Sequence, residues 1–194
     1  MPYSIETITE TIGARRVGDT PATIDWLLTD SRSLSFPEET LFFALTTKRN
    51  DGAHYIADLY ARGVRNFVVS KDAAQSIINY QLSTINLLIV PNPLKALQKL
   101  AEQHRSQFQI PVIGITGSNG KTIVKEWLHQ LLSPERAIVR SPRSYNSQIG
   151  VPLSVWQMSE QSELAIFEAG ISEPGEMRAL QNIIQPTIGI YGAP

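Results

Sequence analysis

The chain has no cysteine among its 194 residues, so no disulfide can staple it and its stability has to come from packing. No apolar run approaches the roughly 18 residues of a membrane-spanning helix, and Met1-Pro2-Tyr3-Ser4-Ile5-Glu6 lacks the basic start and apolar stretch of a signal peptide. Neither sign of charge is in excess: there are 17 basic and 18 acidic residues, for a net charge of −1, and no Lys/Arg block is longer than two. That balance removes the electrostatic footprint of a nucleic-acid binder. The histidines His54, His104 and His129 are scattered without metal-ligand spacing. A soluble cytoplasmic protein is expected, with no nucleic-acid partner and no membrane insertion.

With 42% hydrophobic residues the chain can bury a real core, and no internal repeat or low-complexity segment interrupts it. The spacing predicts a short helix over Ile5–Ile12, strands at Trp26–Thr29 and Thr40–Leu45, and a helix from His54 to Arg62 closed by Gly63. Strands at Asn66–Ser70 and Asn86–Val90 complete a small α/β domain, residues 1–90. Pro91-Asn92-Pro93 removes two backbone donors and marks the break. From there a helix (Leu94–Gln107) leads to strands at Ile110–Ile115, Ala137–Arg140, Leu164–Glu168 and Thr187–Tyr191. They alternate with helices near 121–132, 149–158 and 175–184. Such alternation argues for a parallel sheet covered on both faces, in a second domain over 91–194. The sequence stops at Gly192-Ala193-Pro194, and the expectation is the front part of a longer enzyme. An incomplete sheet leaves an unpaired edge and an uncovered apolar face, which opens dimerisation or domain swapping.

One stretch carries the most chemistry: Gly114-Ile115-Thr116-Gly117-Ser118-Asn119-Gly120-Lys121-Thr122, between an apolar strand and an amphipathic helix. Strand, glycine-rich turn, Lys-Thr and helix describe a cradle for nucleotide phosphates. Gly117, Ser118, Asn119 and Gly120 would turn backbone N–H groups onto the phosphates, Lys121 would reach the terminal ones, and the Thr122 hydroxyl is placed for Mg2+. The general pattern departs at one point, having Ile115 where a first glycine is usual.

Glu168 closes the apolar strand Leu164-Ala165-Ile166-Phe167, at the sheet end where ligands of parallel α/β folds gather, so it is a metal-ligand candidate beside the loop. Glu173 and Glu176 read as charges at the start of the next helix. Asp30-Ser31-Arg32 ends a strand, and Arg32 offers a fork for a phosphate or carboxylate, although a surface turn explains the segment equally. Thr46-Thr47-Lys48-Arg49-Asn50-Asp51-Gly52 reads by composition as a turn. Ser144-Tyr145-Asn146-Ser147-Gln148-Ile149-Gly150-Val151-Pro152-Leu153 is a polar loop running into an apolar helix.

In order along the chain, Asp30-Ser31-Arg32, Leu41–Leu45, Asn50–His54, the 115–122 loop, Asn146, Ile149–Leu153, Glu168-Ala169-Gly170 and Gly175-Glu176-Met177 resemble the Mur ligases, ATP-dependent amide-bond ligases of bacterial cell-wall synthesis. Ser118 and Lys125-Glu126-Trp127 favour the MurF-type branch, which joins D-Ala-D-Ala to UDP-N-acetylmuramoyl-tripeptide. The resemblance implies three domains, of which this chain would supply the first and about half of the second. It implies that Ser31, Arg32, Thr46, Thr47, Asn50, Asp51 and Gly52 face the UDP-muramoyl-peptide, with Asn146 near its peptide. Lys121 and Thr122 would hold ATP and Mg2+, Glu168 a Mg2+ ion, and Lys121 and Glu168 would be the catalytic pair. Ligase modules of this kind are also found fused to a downstream alanine racemase.

The implied chemistry is activation of a carboxylate as an acyl phosphate, which the amine then displaces. Ala53 intervenes between Asp51-Gly52 and His54, where the family usually places histidine directly after Asp-Gly. Ser144 and Ser147 stand where asparagines are common. The family's metal-binding histidine, carbamylated lysine and adenine pocket are not in these residues, so the chain alone is expected to be inactive. Two other readings stay open: another Mur or folylpolyglutamate-type ligase, and a non-catalytic module binding UDP-sugar or nucleotide.

Overall fold

The computed structural model describes residues 2–47, 51–78 and 84–192. Their contacts divide into two units, Met1–Leu97 and Gln98–Pro194.

In the first unit β1 (Tyr3–Ser4) leads into α1 (Ile5–Ile12), whose start is capped by the Ser4 hydroxyl, accepting from the Thr7 N–H at 3.1 Å. Then come β2 (Arg15–Val17), β3 (Thr23–Ile24), β4 (Trp26–Leu28), β5 (Thr40–Phe43), α2 (Ile56–Ala61), β6 (Asn66–Ser70), α3 (Lys71–Ile78) and β7 (Asn86–Val90). Five strands form a sheet in the order β2-β7-β6-β5-β4, parallel except for β2. β6 and β7 are near-continuous apolar runs, as strands covered on both faces must be. Phe42, Phe67, Leu87 and Ile89 pack there with Ile56 and Leu59 of α2 and Ala74 and Ile77 of α3. Each run opens with a buried asparagine, and the two satisfy one another: Asn86 Nδ2 donates to Asn66 Oδ1 at 2.8 Å. Arg16 brings β2 in by donating to Asn86 Oδ1 from Nε and Nη2, at 3.0 and 2.7 Å. The predicted helix over His54–Arg62 begins instead as a 3-10 turn, Gly52–Tyr55, before α2.

The unit boundary falls inside α4 (Pro93–Arg105). The second unit continues with β8 (Val112–Gly117), α5 (Lys121–Leu132), β9 (Ile138–Arg140), α6 (Gly150–Val155), β10 (Leu164–Glu168), α7 (Glu176–Ile184) and β11 (Ile188–Gly192). Its sheet, β11-β8-β10-β9, is wholly parallel. Val112, Ala165 and Phe167 pack on one face with Val151 and Val155 of α6 and Leu180 and Ile183 of α7. Ile113, Ile115, Leu164 and Ile166 pack on the other with Val124, Leu128 and Leu132 of α5. Buried Arg105 donates to the carbonyls of Ile184 (2.8 Å), Gln185 (2.9 Å) and Phe108 (2.7 Å), closing the end of α7. No described helix is long and apolar enough to cross a membrane.

His104 is buried between Phe108 and Trp156, with its Nε2 3.0 Å from the Met158 carbonyl oxygen. That oxygen only accepts, so Nε2 carries the proton. Burial lowers the ring's pKa from 6.5 to about 4. The unfolded chain therefore binds the proton first, and stability is lost as pH falls from about 6.5 toward 4, by at most roughly 1.4 kcal/mol per pH unit. Urea denaturation at pH 7.5, 5.5 and 4.5 is expected to show this slope, and His104→Gln to flatten it.

Candidate nucleotide site

β8 runs straight into the glycine-rich turn, and α5 begins at Lys121 with Gly120 at its cap and no side chain bonded to that end. The first N–H groups of α5 have no partner within the helix, and together with its dipole they favour an anion. Two glycines make the turn possible. Gly117 has φ +129°, and a Cβ there would lie 2.2 Å from the backbone oxygen of Gly192; Gly120 has φ +77°. Both lie where side chains other than glycine's are strained.

Lys121 Nζ donates to Gly117 O at 2.6 Å and lies 3.4 Å from Ser118 O, so its charge is held over the loop. One residue on, Thr122 Oγ1 donates to Glu168 Oε2 at 3.0 Å. Glu168 is fully buried. Register explains its place: Glu168 pairs with Ile115 of β8, next to the loop. Its N–H donates to Ser141 Oγ at 3.2 Å, and Lys125 Nζ stands 2.9 Å from Oε1. That ion contact lacks hydrogen-bond geometry, so Oε1 is a buried oxygen with no hydrogen-bond donor among the described residues.

Above the loop lies a cavity of about 510 Å³ bordered by Thr116, Gly117, Ser118, Lys121, Asn146 and Tyr191, within the size range of small-molecule sites. Asn146 is fixed by the Gly170 N–H, which donates to its backbone oxygen at 2.8 Å. Gly170 leaves the space its side chain occupies, since a Cβ there would come within 2.9 Å of Asn146 Cγ. Glu176 behaves as the sequence suggests: its Oε2 accepts from the N–H groups of Ser172 and Glu173, at 2.6 and 3.0 Å, and these bonds hold its carboxyl below the usual range.

The remaining candidates belong to the first unit, in loops that follow the adjacent parallel strands β4 and β5. Arg32 forks onto its own neighbour, donating from Nε and Nη2 to Asp30 at 2.9 and 2.6 Å. Its guanidinium lowers the Asp30 pKa, and Asp30 raises that of Arg32. Arg62 Nη1 donates to the carbonyl oxygen of Ser31 at 2.9 Å. Thr46 Oγ1 lies 3.3 Å from Asp51 Oδ1, which also accepts the Ala53 N–H at 3.0 Å, and Thr47 is exposed. Gly52 is buried, and a Cβ on it would meet the backbone of Leu45 and Ala44 within 2.9 Å. Asn50 lies outside the described residues.

Sequence reasoning gave no site role to Lys125 and Ser141, which hold Glu168, or to Thr116, whose hydroxyl donates to Ala169 O at 2.9 Å. For Lys125 the available signal was its spacing, four residues after Lys121 and so on the same helix face.

A wholly parallel sheet with a phosphate-type loop from a central strand to a helix, and a buried carboxylate ending the neighbouring strand, is an arrangement with which α/β domains hold nucleotides. Residues 115–192 match the Mur ligase middle domain. The UDP-N-acetylmuramoyl-tripeptide–D-alanyl-D-alanine ligase of Bacillus subtilis is 30% identical over 86% of this chain, and that of Borreliella burgdorferi 36% identical over 78%. MurF from Acinetobacter baumannii superposes with a TM-score of 0.83 at 25% identity, covering 98% of this chain and 41% of that one. A MurF ligase from Thermotoga maritima in complex with ADP gives 0.68 at 27% identity, covering 82% of this chain and 35% of that one. Residues 115–192 thus belong to the Mur ligase family, and the chain as a whole is similar to its MurF-type members. It spans about a third of the length of these two curated relatives, 35% and 33%.

Gly117→Ala is expected to cost about 1–3 kcal/mol of stability through strain and the clash with Gly192. A urea transition unchanged within about 0.5 kcal/mol would contradict the turn geometry described here.

Proposed function

We propose that this chain carries the nucleotide-binding and UDP-substrate-binding parts of an ATP-dependent ligase that adds D-Ala-D-Ala to UDP-N-acetylmuramoyl-tripeptide in the cytoplasm. The observation that carries the reading is the Thr122–Glu168 hydrogen bond of 3.0 Å beside Lys121, in a domain related to MurF-type proteins. Residues 1–90 are read as the UDP-muramoyl-peptide domain, with Ser31, Arg32, Thr46, Thr47, Asn50, Asp51 and Gly52 as its contacts. Residues 91–194 are read as the nucleotide part.

The residues fit a magnesium ion: Thr122 Oγ1 and Glu168 are hard oxygen donors, and Oε1 is buried without a hydrogen-bond donor among the described residues. Mg2+ would supply charge neutralisation on the phosphates. The chain's own residues do the rest. Gly117, Ser118, Asn119 and Gly120 present backbone N–H groups at the positive end of α5, and Lys121 adds a cation to the terminal phosphates. A carboxylate resists an amine because its charge is delocalised and oxide would have to leave. Phosphoryl transfer from ATP to one carboxylate oxygen, with ADP departing, gives it phosphate as leaving group. Asn146, which borders the same cavity as Lys121, is read as the group orienting the tripeptide end.

Two substitutions separate the parts. Lys121→Ala is expected to weaken ADP binding with Mg2+ about tenfold or more while sparing UDP-N-acetylmuramoyl-tripeptide, and Arg32→Ala to do the reverse. Calorimetry on the folded proteins reads both. Failure of wild type to bind either ligand would overturn the reading.

A further inference from the structure

Lys125 is fully buried one turn along α5 from Lys121, and the chemistry above gives it no task. Its Nζ stands 2.9 Å from Glu168 Oε1 and 3.3 Å from Glu126 Oε1, and donates to the carbonyls of Ser141, at 2.9 Å, and Arg143. Both members of the Lys125–Glu168 pair have side chains with 0% exposure. Desolvating two such ions costs several kcal/mol each, and apolar residues of the same volume often hold a core as well or better. Stability is therefore a weak reason for a lysine here, and its geometry suggests a stronger one.

Thr122 and Lys125, three residues apart on α5, hold the two oxygens of one carboxylate: a hydroxyl on Oε2, an ammonium beside Oε1. Rotation of that carboxylate breaks one contact or the other. The same ammonium secures the start of the segment leading to Asn146, where Arg143 adopts a left-handed conformation with φ +51°. Non-glycine residues persist in that region only when their surroundings hold them there. Lys125 also cancels the charge of Glu168. Its second carboxylate contact, Glu126, is itself 3.3 Å from Arg140. Two cations and two carboxylates leave this cluster with no net charge, so a divalent cation arriving alone meets little attraction. Phosphate oxygens at the loop would supply what is lacking.

Resting on the nucleotide-ligase reading, we propose that Lys125 is a positioning residue that fixes Glu168 against Thr122 and neutralises it, so that a divalent cation is taken up only together with nucleotide.

The test uses Mn2+ on the 194-residue chain. Binding without nucleotide is followed by loss of the free-ion EPR signal, and ADP affinity with Mn2+ by calorimetry. Wild type is expected to bind Mn2+ weakly alone, and Lys125→Met to bind it about tenfold more tightly or better. In a Glu168→Gln background the same substitution should change Mn2+ and ADP affinity by less than about twofold. Unchanged Mn2+ affinity in folded Lys125→Met, or equal effects in both backgrounds, overturns the proposal. If Lys125→Met does not fold, Lys125→Met/Glu168→Gln against Glu168→Gln decides, and a difference above about twofold overturns it. Failure of folded wild type to bind ADP with Mn2+ overturns the ligase reading itself, whereas intact ADP binding with an unmoved Mn2+ affinity overturns the role of Lys125 alone.

Discussion

A carboxylate at the end of an interior strand has to be compensated, and Glu168 draws its side-chain partners from a single helix. Thr122 and Lys125 of α5 hold its two oxygens, and the Ser141 hydroxyl accepts its N–H from the segment after β9. Because α5 also begins at the glycine-rich turn, one helix contacts both the group proposed for metal and the cradle proposed for phosphate. The turn in turn depends on β11, whose last residue, Gly192, approaches Gly117 so closely that no Cβ fits between them. Strand order therefore fixes the site: β8 lies between β10 and β11, and each contributes a residue to the loop's surroundings.

The first unit solves a related problem differently. Its parallel strands β6 and β7 open on buried asparagines that pair side by side, with Arg16 drawing the short antiparallel β2 onto the edge. The polar starts are satisfied internally, and the loops after β4 and β5 are left at the opposite end, where parallel sheets present their ligand sites. The bidentate Asp30–Arg32 contact orders one of these loops without burying it; the Arg32 side chain is 87% exposed. An exposed pair of this kind adds little stability, so its value is orientation.

Where the sequence was legible, single elements carried their own signal. Asn66–Ser70, Asn86–Val90 and Leu164–Glu168 are strands over those same residues because each is an apolar run bounded by polar ones. The 121–132 helix and the Gly-Lys-Thr turn were legible for the same local reason. Arg15–Val17 was not: a three-residue edge strand has no alternation to read, and only β7 and Asn86 make it one. The helix Lys71–Ile78 was missed, being short and flanked by segments without a clear period. Among the candidates, Lys121 and Thr122 came from the loop motif, Glu168 from its strand end and Asn146 from the family resemblance, and the structure brings Lys121, Thr122 and Glu168 together beside the loop. Lys125 has the composition of an exposed helical lysine, and its burial is a tertiary fact set by where β10 and the 141–143 segment meet α5.

The most direct test of the nucleotide site is residue-resolved. Titration of the isotope-labelled chain with ADP and Mg2+, followed by amide chemical shifts, should move Gly117, Gly120, Lys121 and Thr122 together and saturably, with Glu168 following only when Mg2+ is present. Saturable binding that leaves those amides in place and moves another part of the chain would contradict the account.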